Sequence, residues 1–272
     1  MSQQRAPAED TDDVPDFVDT HCHLDDDSFG TDLDDVLERS RRLGVRRWIN
    51  VGFNPDRWQP SIELAARHPG MSFMLGVHPG DADRWNEQVQ SDLRQLVDRH
   101  RPVAIGEIGL DFYRGETNVD QQVAAFNAQL NLALEHSLPA AIHMRSSELL
   151  VLDVLRSRPR TPRLVFHSFD GSEALTGWIV ANDAYAGVGG LATRTKSQHI
   201  HRQLKRLQLE RLLLETDSPY LVPNGFKHRR NTPESVPKIA EFLAKLLDTD
   251  VESVASQTTR NAERFFERLQ PA

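Results

Sequence analysis

The 272-residue chain contains one cysteine, Cys22, so no disulfide can form within it; this usage fits a reducing cytoplasm. It also lacks any apolar run near the roughly 18 residues that a membrane span needs. The opening MSQQRAPAEDTDDVP has no apolar stretch of the kind a secretory signal carries. Residues 1–15 are expected to form a disordered acidic leader, and residues 16–272 a single domain. Positive charge is short overall, with 32 basic against 40 acidic residues and a net charge of −8, which excludes a broadly basic nucleic-acid-binding surface. The shortage is local. Residues 1–35 hold twelve acidic residues and one basic, whereas the rest holds 28 acidic and 31 basic, leaving room for a positive mouth. Past the leader there is no Pro/Gly/Ser-rich linker, internal repeat or low-complexity block, and nothing marks an obligate protein partner.

What is present is alternation. Short apolar runs at Phe17–Thr20, Arg47–Val51, Ser72–Val77, Val103–Ile108, Pro139–His143, Arg163–His167, Ala184–Val188 and Leu212–Glu215 read as strands. Amphipathic stretches around residues 32–43, 57–68, 88–100, 119–136, 147–157, 172–181, 196–207 and 234–247 read as helices, with a closing helix over 251–269. Eight strand–helix units in about 250 residues predict a single-domain α/β fold, a (β/α)8 TIM barrel; an open doubly wound sheet is the rival.

The chemistry gathers where these runs end. In Asp19-Thr20-His21-Cys22-His23, extended backbone turns His21 and His23 to the same side, so two imidazoles can meet one metal ion. Loop histidines bonded to backbone are the alternative. Glu107 lies in the otherwise apolar run Gly106–Leu110, and a carboxylate buried there needs a cation, either a metal or an arginine such as Arg145. His143 and His167 close the fifth and sixth runs, and Asp217 follows the leucines of the eighth. In a barrel all these ends converge on one face. Four imidazoles and two carboxylates suffice for two ions if one carboxylate bridges, and Glu107 is the candidate bridge. His78, in Gly76-Val77-His78-Pro79, is read as a substrate or phosphate contact. Arg145 and the Lys227–Arg230 run, with Lys227 and Arg229, are candidate phosphate clamps, and Tyr113 a candidate base-stacking residue. His199 and His201 repeat the HxH spacing inside a helical pattern, where residues two apart diverge; His68, His100 and His136 sit near helix ends.

The motifs DTHCH, GVHP, GEIGLDFY, IHMR, HSFDGS, GVGG, LLLETDSPYL and NTPES, in this order from about Phe17 to Phe266, resemble the TatD-type metal-dependent deoxyribonucleases of the amidohydrolase superfamily. The resemblance implies a TIM barrel whose ion ligands are His21, His23, Glu107, His143, His167 and Asp217. It also implies DNA hydrolysis, with 3′-to-5′ exonuclease action in some members. The chain departs from the family at Ser168 and Asp170, where HCFSG is common, and at Ser146, where an acidic residue is common. The expected chemistry is phosphodiester hydrolysis by a metal-activated water, with Asp217 as general base and Glu107 in the ligand set. Imidazole-rich ligation favours Zn²⁺ or Mn²⁺, and Mg²⁺ is the third candidate. A hydrolase for a small ester, lactone or amide is the alternative, since a fold does not fix a substrate.

Overall fold

A computed structural model describes residues 14–115 and 117–272. Most of the predicted leader, residues 1–13, lies outside the described residues. Its last two, Val14 and Pro15, lie against Gly44, where a side chain would collide with the Pro15 carbonyl.

Among the described residues the sheet has eight strands in the order of the sequence: β1 Phe17–Cys22, β2 Val45–Gly52, β3 Met71–Leu75, β4 Ala104–Asp111, β5 Ala140–Arg145, β6 Leu164–Phe166, β7 Tyr185–Val188 and β8 Leu212–Leu214. Every paired neighbour is parallel. Between them run helices α1 Leu33–Arg42, α2 Pro55–Arg67, α3 Glu87–His100, α4 Val119–Glu135, α5 Glu148–Arg156, α6 Glu173–Ala181 and α7 Gln198–Leu207; α8 Val236–Leu247 and α9 Val251–Phe265 follow the last strand. This is the (β/α)8 barrel that the alternation predicts.

Neighbouring residues of one strand enter different cores, as period-two alternation requires. Ile49, Ala141, Val165 and Leu213 join a cluster closed by Phe265 and Phe266 at the end of α9. Trp48, Ile142, Phe166 and Leu212 join the larger cluster with Val36 of α1, Phe126 of α4 and Ile239 of α8. Asn54, Asn86, Ser172 and Asp250 each accept a backbone N–H at the start of a helix, so local capping sets where α2, α3, α6 and α9 begin.

The seam between β8 and β1 is sewn by side chains and strand extensions. Thr20 Oγ1 donates to Leu214 O at 2.9 Å, while the buried Asp19 carboxylate accepts from Thr216 N at 2.9 Å and Thr216 Oγ1 at 2.6 Å. Just beyond, Asp217 N donates to His21 O at 2.8 Å and His23 N to Ser218 O at 2.7 Å. The closure of the barrel therefore fixes three candidate ligands together.

Several strand ends differ from the sequence reading. β1 continues through Cys22 and β4 through Asp111, three residues past the predicted end. The register between β4 and β5 shifts between Ile105 and Ile108, a bulge that surrounds Glu107 and redirects its side chain. β3 stops at Leu75, and the chain reaches His78 through an extension held by a side chain: Gln129 of α4 accepts from Val77 N at 2.7 Å and donates to Val77 O at 3.1 Å. One face of α4 does this twice. Seven residues earlier, Gln122 accepts from Asp111 N at 2.9 Å and donates to Asp111 O at 3.2 Å.

Candidate metal centre and active site

The C-terminal strand ends open into a pocket of about 650 Å³, with His23, His78, Glu107, His143, His167 and Asp217 in its wall. His21 is buried beneath, its ring stacked on His167 at 4.1 Å between centroids. All six predicted ligands therefore meet at one end of the barrel, and the doubly wound alternative is excluded by the fold.

Glu107 stands at the centre. Its Oε1 is 2.6 Å from both His143 Nδ1 and His167 Nε2. Its Oε2 faces the other way, 3.6 Å from His21 Nε2 and 4.0 Å from His23 Nε2. Asp217 Oδ1 completes that second group, 3.7 Å from His21 Nε2 and 3.3 Å from His23 Nε2. Arg145, the alternative partner for Glu107, lies instead with its guanidinium 3.6 Å from the centre of the Tyr113 ring.

The donor set suits cations. Two ligand bonds of about 2.0–2.2 Å at a tetrahedral angle leave their atoms about 3.4 Å apart. The separations around Asp217 and Glu107 Oε2 fall in this range, and His21 Nε2 is buried with no hydrogen-bond partner. Burial, and after it the His167 charge, pushes the His21 imidazole down to about 4, so at neutral pH its ring is uncharged and keeps a lone pair. The carboxylates also draw positive charge in. Against a burial cost of opposite sign, Glu107 foremost, with Glu215 and Asp217, holds His167 up to about 10. Glu107 itself is held well below the usual carboxylate range by His167, His78 and His143, despite burial that would raise it.

Behind these groups stand residues that the sequence reading did not single out. Asp111 Oδ2 is 3.0 Å from His143 Nε2, and its Oδ1 accepts from Tyr113 N at 2.8 Å. Glu215 is buried behind His167, with Oε1 4.0 Å from His167 Nδ1 and 2.5 Å from Ser168 N. It fits because residue 187 is glycine: a Cβ there would stand 2.0 Å from Glu215 Oε2. A carboxylate bonded behind a candidate ligand histidine, as Asp111 is to His143, fixes which ring nitrogen carries the proton, whereas Glu215 acts on His167 through its charge. Four residues at this face, Ser146, Ser168, Asp217 and Leu221, hold left-handed backbone with φ of 56°, 49°, 55° and 48°.

The candidate substrate contacts separate. His78, Tyr113 and Arg145 line the pocket, as do Arg194, Asp170 and Tyr220. Lys227 and Arg229 are exposed on the loop after β8, outside the pocket wall, while Arg230 is bound to Asp32 at 2.7 Å. Among the remaining histidines, His201 meets Ala192 O at 2.8 Å, His68 pairs with Asp34 and His136 with Asp98.

Comparison with known proteins adds to this geometry. The family described as "TatD related DNase" matches residues 18–267. The chain is 34% identical to the "3'-5' ssDNA/RNA exonuclease TatD" of Erwinia tasmaniensis, over 92% of this chain and 99% of the relative. It is 33% identical to the "Uncharacterized metal-dependent hydrolase YabD" of Bacillus subtilis, over 92% and 98%. Among solved structures, the TatD homologue YjjV of Escherichia coli K12 superposes with a TM-score of 0.87 at 30% identity, covering 92% of this chain and 98% of that one. In fold, in the gathering of histidines and carboxylates at the strand ends, and in sequence across nearly its whole length, the chain belongs to the TatD-related DNase family.

Proposed function

We propose that the protein is a divalent-metal-dependent hydrolase of nucleic-acid phosphodiester bonds, most directly a deoxyribonuclease working from a 3′ end. The observation that carries this reading is the Glu107 carboxylate, with one oxygen toward His143 and His167 and the other toward His21 and His23. In this reading His21, His23, Asp217 and Glu107 would hold one ion, and Glu107, His143 and His167 a second. Zn²⁺ or Mn²⁺ suits the imidazoles, with Mg²⁺ as the alternative. Bound there, the ions supply the lowered pKa of a water and charge to offset the phosphate.

The chain's own groups do the rest. Asp217 stays ionised: burial would raise its pKa, but the hydrogen bond with His23 and the charges of His167, His23 and His21 together outweigh it, so it can accept the proton of an attacking water. Arg145, laid on the exposed Tyr113 ring, and Arg194 bring positive charge to the pocket rim for a phosphate. Tyr113 and Tyr220 are both exposed and line the mouth, where bases can stack, and this suits a single strand better than a duplex. Lys227 and Arg229 stand farther out, where they fit the path of a longer strand. No helix among the described residues is long and apolar enough to cross a membrane; the single buried cysteine suits a cytoplasmic setting.

The test combines protein stripped of metal, each of Zn²⁺, Mn²⁺ and Mg²⁺, and labelled single- and double-stranded DNA beside small ester and lactone substrates. Metal-dependent release of nucleotides from single-stranded DNA is expected. Turnover of the esters without DNA cleavage would replace this reading with the small-ester hydrolase.

A further inference from the structure

His78 leads into a 3-10 helix, Pro79–Arg84, and its side chain caps it: Nδ1 accepts from Gly80 N at 2.9 Å. A ring nitrogen that accepts a hydrogen bond carries a lone pair, so in the neutral imidazole the proton resides on Nε2. The ring cannot easily turn. His78 N is bonded to Phe53 O at 2.8 Å, Gln129 clamps the preceding residue, and the ring packs edge-on against His143 at 4.3 Å. Its Nε2–H therefore enters the pocket at a fixed angle. The closest carboxylate oxygen, Glu107 Oε1, is 3.8 Å away and beyond hydrogen-bond reach.

His78, Asp111 and His143 lie close enough together to suggest a third cation position beside the two around Glu107. Their protons argue the opposite. Asp111 Oδ2, 3.0 Å from His143 Nε2, places a proton on that nitrogen, and Gly80 places one on His78 Nε2. Neither imidazole offers a lone pair to this corner, and the carboxylate already has a partner.

We propose that this corner is an anion subsite, in which the uncharged Nε2–H of His78 donates to a non-bridging oxygen of the substrate phosphate. The proposal rests on the phosphodiesterase reading above and extends it. A neutral donor stabilises charge building on phosphate without repelling cations held by the adjacent side chains, and its orientation is set before substrate arrives.

Long-range ¹H–¹⁵N spectra of the histidine rings test it, with His78→Gln supplying the assignment. The expected result is an Nε2–H tautomer for His78 that survives Zn²⁺ titration and shifts when inorganic phosphate is added to the Zn²⁺-loaded protein. An Nδ1–H tautomer, a His78 Nε2 that takes up Zn²⁺, or phosphate binding that leaves the His78 signals unchanged overturns it. In kinetics on single-stranded DNA, His78→Ala should lower kcat by roughly 10²–10³-fold with Zn²⁺ content unaltered. His78→Gln, whose amide N–H reaches nearly as far, should recover at least about tenfold of that loss. Zn²⁺ content falling with His78→Ala overturns the proposal. If the spectra behave as expected but no DNA is cut by the wild type, the nuclease reading fails while the anion subsite stands.

Discussion

Asp111 Oδ2 lies 3.0 Å from His143 Nε2, on the opposite edge of the ring from the nitrogen that meets Glu107 Oε1 at 2.6 Å. The imidazole is held between two carboxylates, one inside the proposed metal centre and one behind it. Asp111→Asn should weaken metal affinity about 10- to 100-fold and leave kcat at saturating metal much closer to wild type. Titrating activity against buffered Zn²⁺ checks this; unchanged affinity would remove the orienting role.

Replacing Glu107 strikes both groups of histidines at once. Glu107→Gln should lower turnover by at least roughly 10²–10³-fold and reduce the number of ions retained after gel filtration. Wild-type turnover under metal-buffered conditions would end the assignment.

Gly187 is a packing prediction with no ligand involved. Its absent side chain is the space that Glu215 Oε2 occupies. Gly187→Ala should cost about 1–3 kcal/mol of stability by overpacking, read from chemical denaturation, whereas Gly189→Ala, whose Cβ would stand 3.4 Å from its first neighbour, should cost less.

The rim stack is tested by substrate binding. Tyr113→Ala removes both a stacking face and the support beneath Arg145. KM for single-stranded DNA should rise by about 5- to 150-fold, the equivalent of about 1–3 kcal/mol per stacked base, with metal content unchanged. An unaltered KM would place the bases elsewhere.

Asp170 gives a pH dependence. Burial raises its pKa, while the hydrogen bond from Ser172 N opposes this. Folding thus favours its protonated form, and the group's contribution to stability falls as pH rises above the ordinary value of about 4. Asn keeps the acceptor for Ser172 and carries no charge. Asp170→Asn should therefore stabilise the protein at pH 7, and the gain should shrink as the pH is lowered toward 4. Melting temperatures across that range decide it.

The barrel and the six convergent side chains were legible in the sequence because each depends on local pattern: strand periodicity for His21 and His23, abrupt run ends for His143, His167 and Asp217. Glu107 stood out as a charge in an apolar strand. Asp111 was hidden because β4 reads as ending at Ile108, and only the bulge against β5 carries the strand onward. Glu215 looks like the end of a leucine run; its importance depends on a glycine 28 positions earlier that the fold brings beside it. Gln122 and Gln129 fall within a helical pattern, and nothing in α4 reveals the strand extensions they grasp. Lys227 and Arg229 show the converse: a run of charge says nothing about which way a loop faces.

The seam of the barrel has a consequence for the protein during synthesis. Asp19 and His21 leave the ribosome early, whereas Thr216 and Asp217, to which the seam binds them, are among the late arrivals. A half-made chain has every early histidine but no completed cradle. The cradle is therefore complete only once the final strand has emerged and docked.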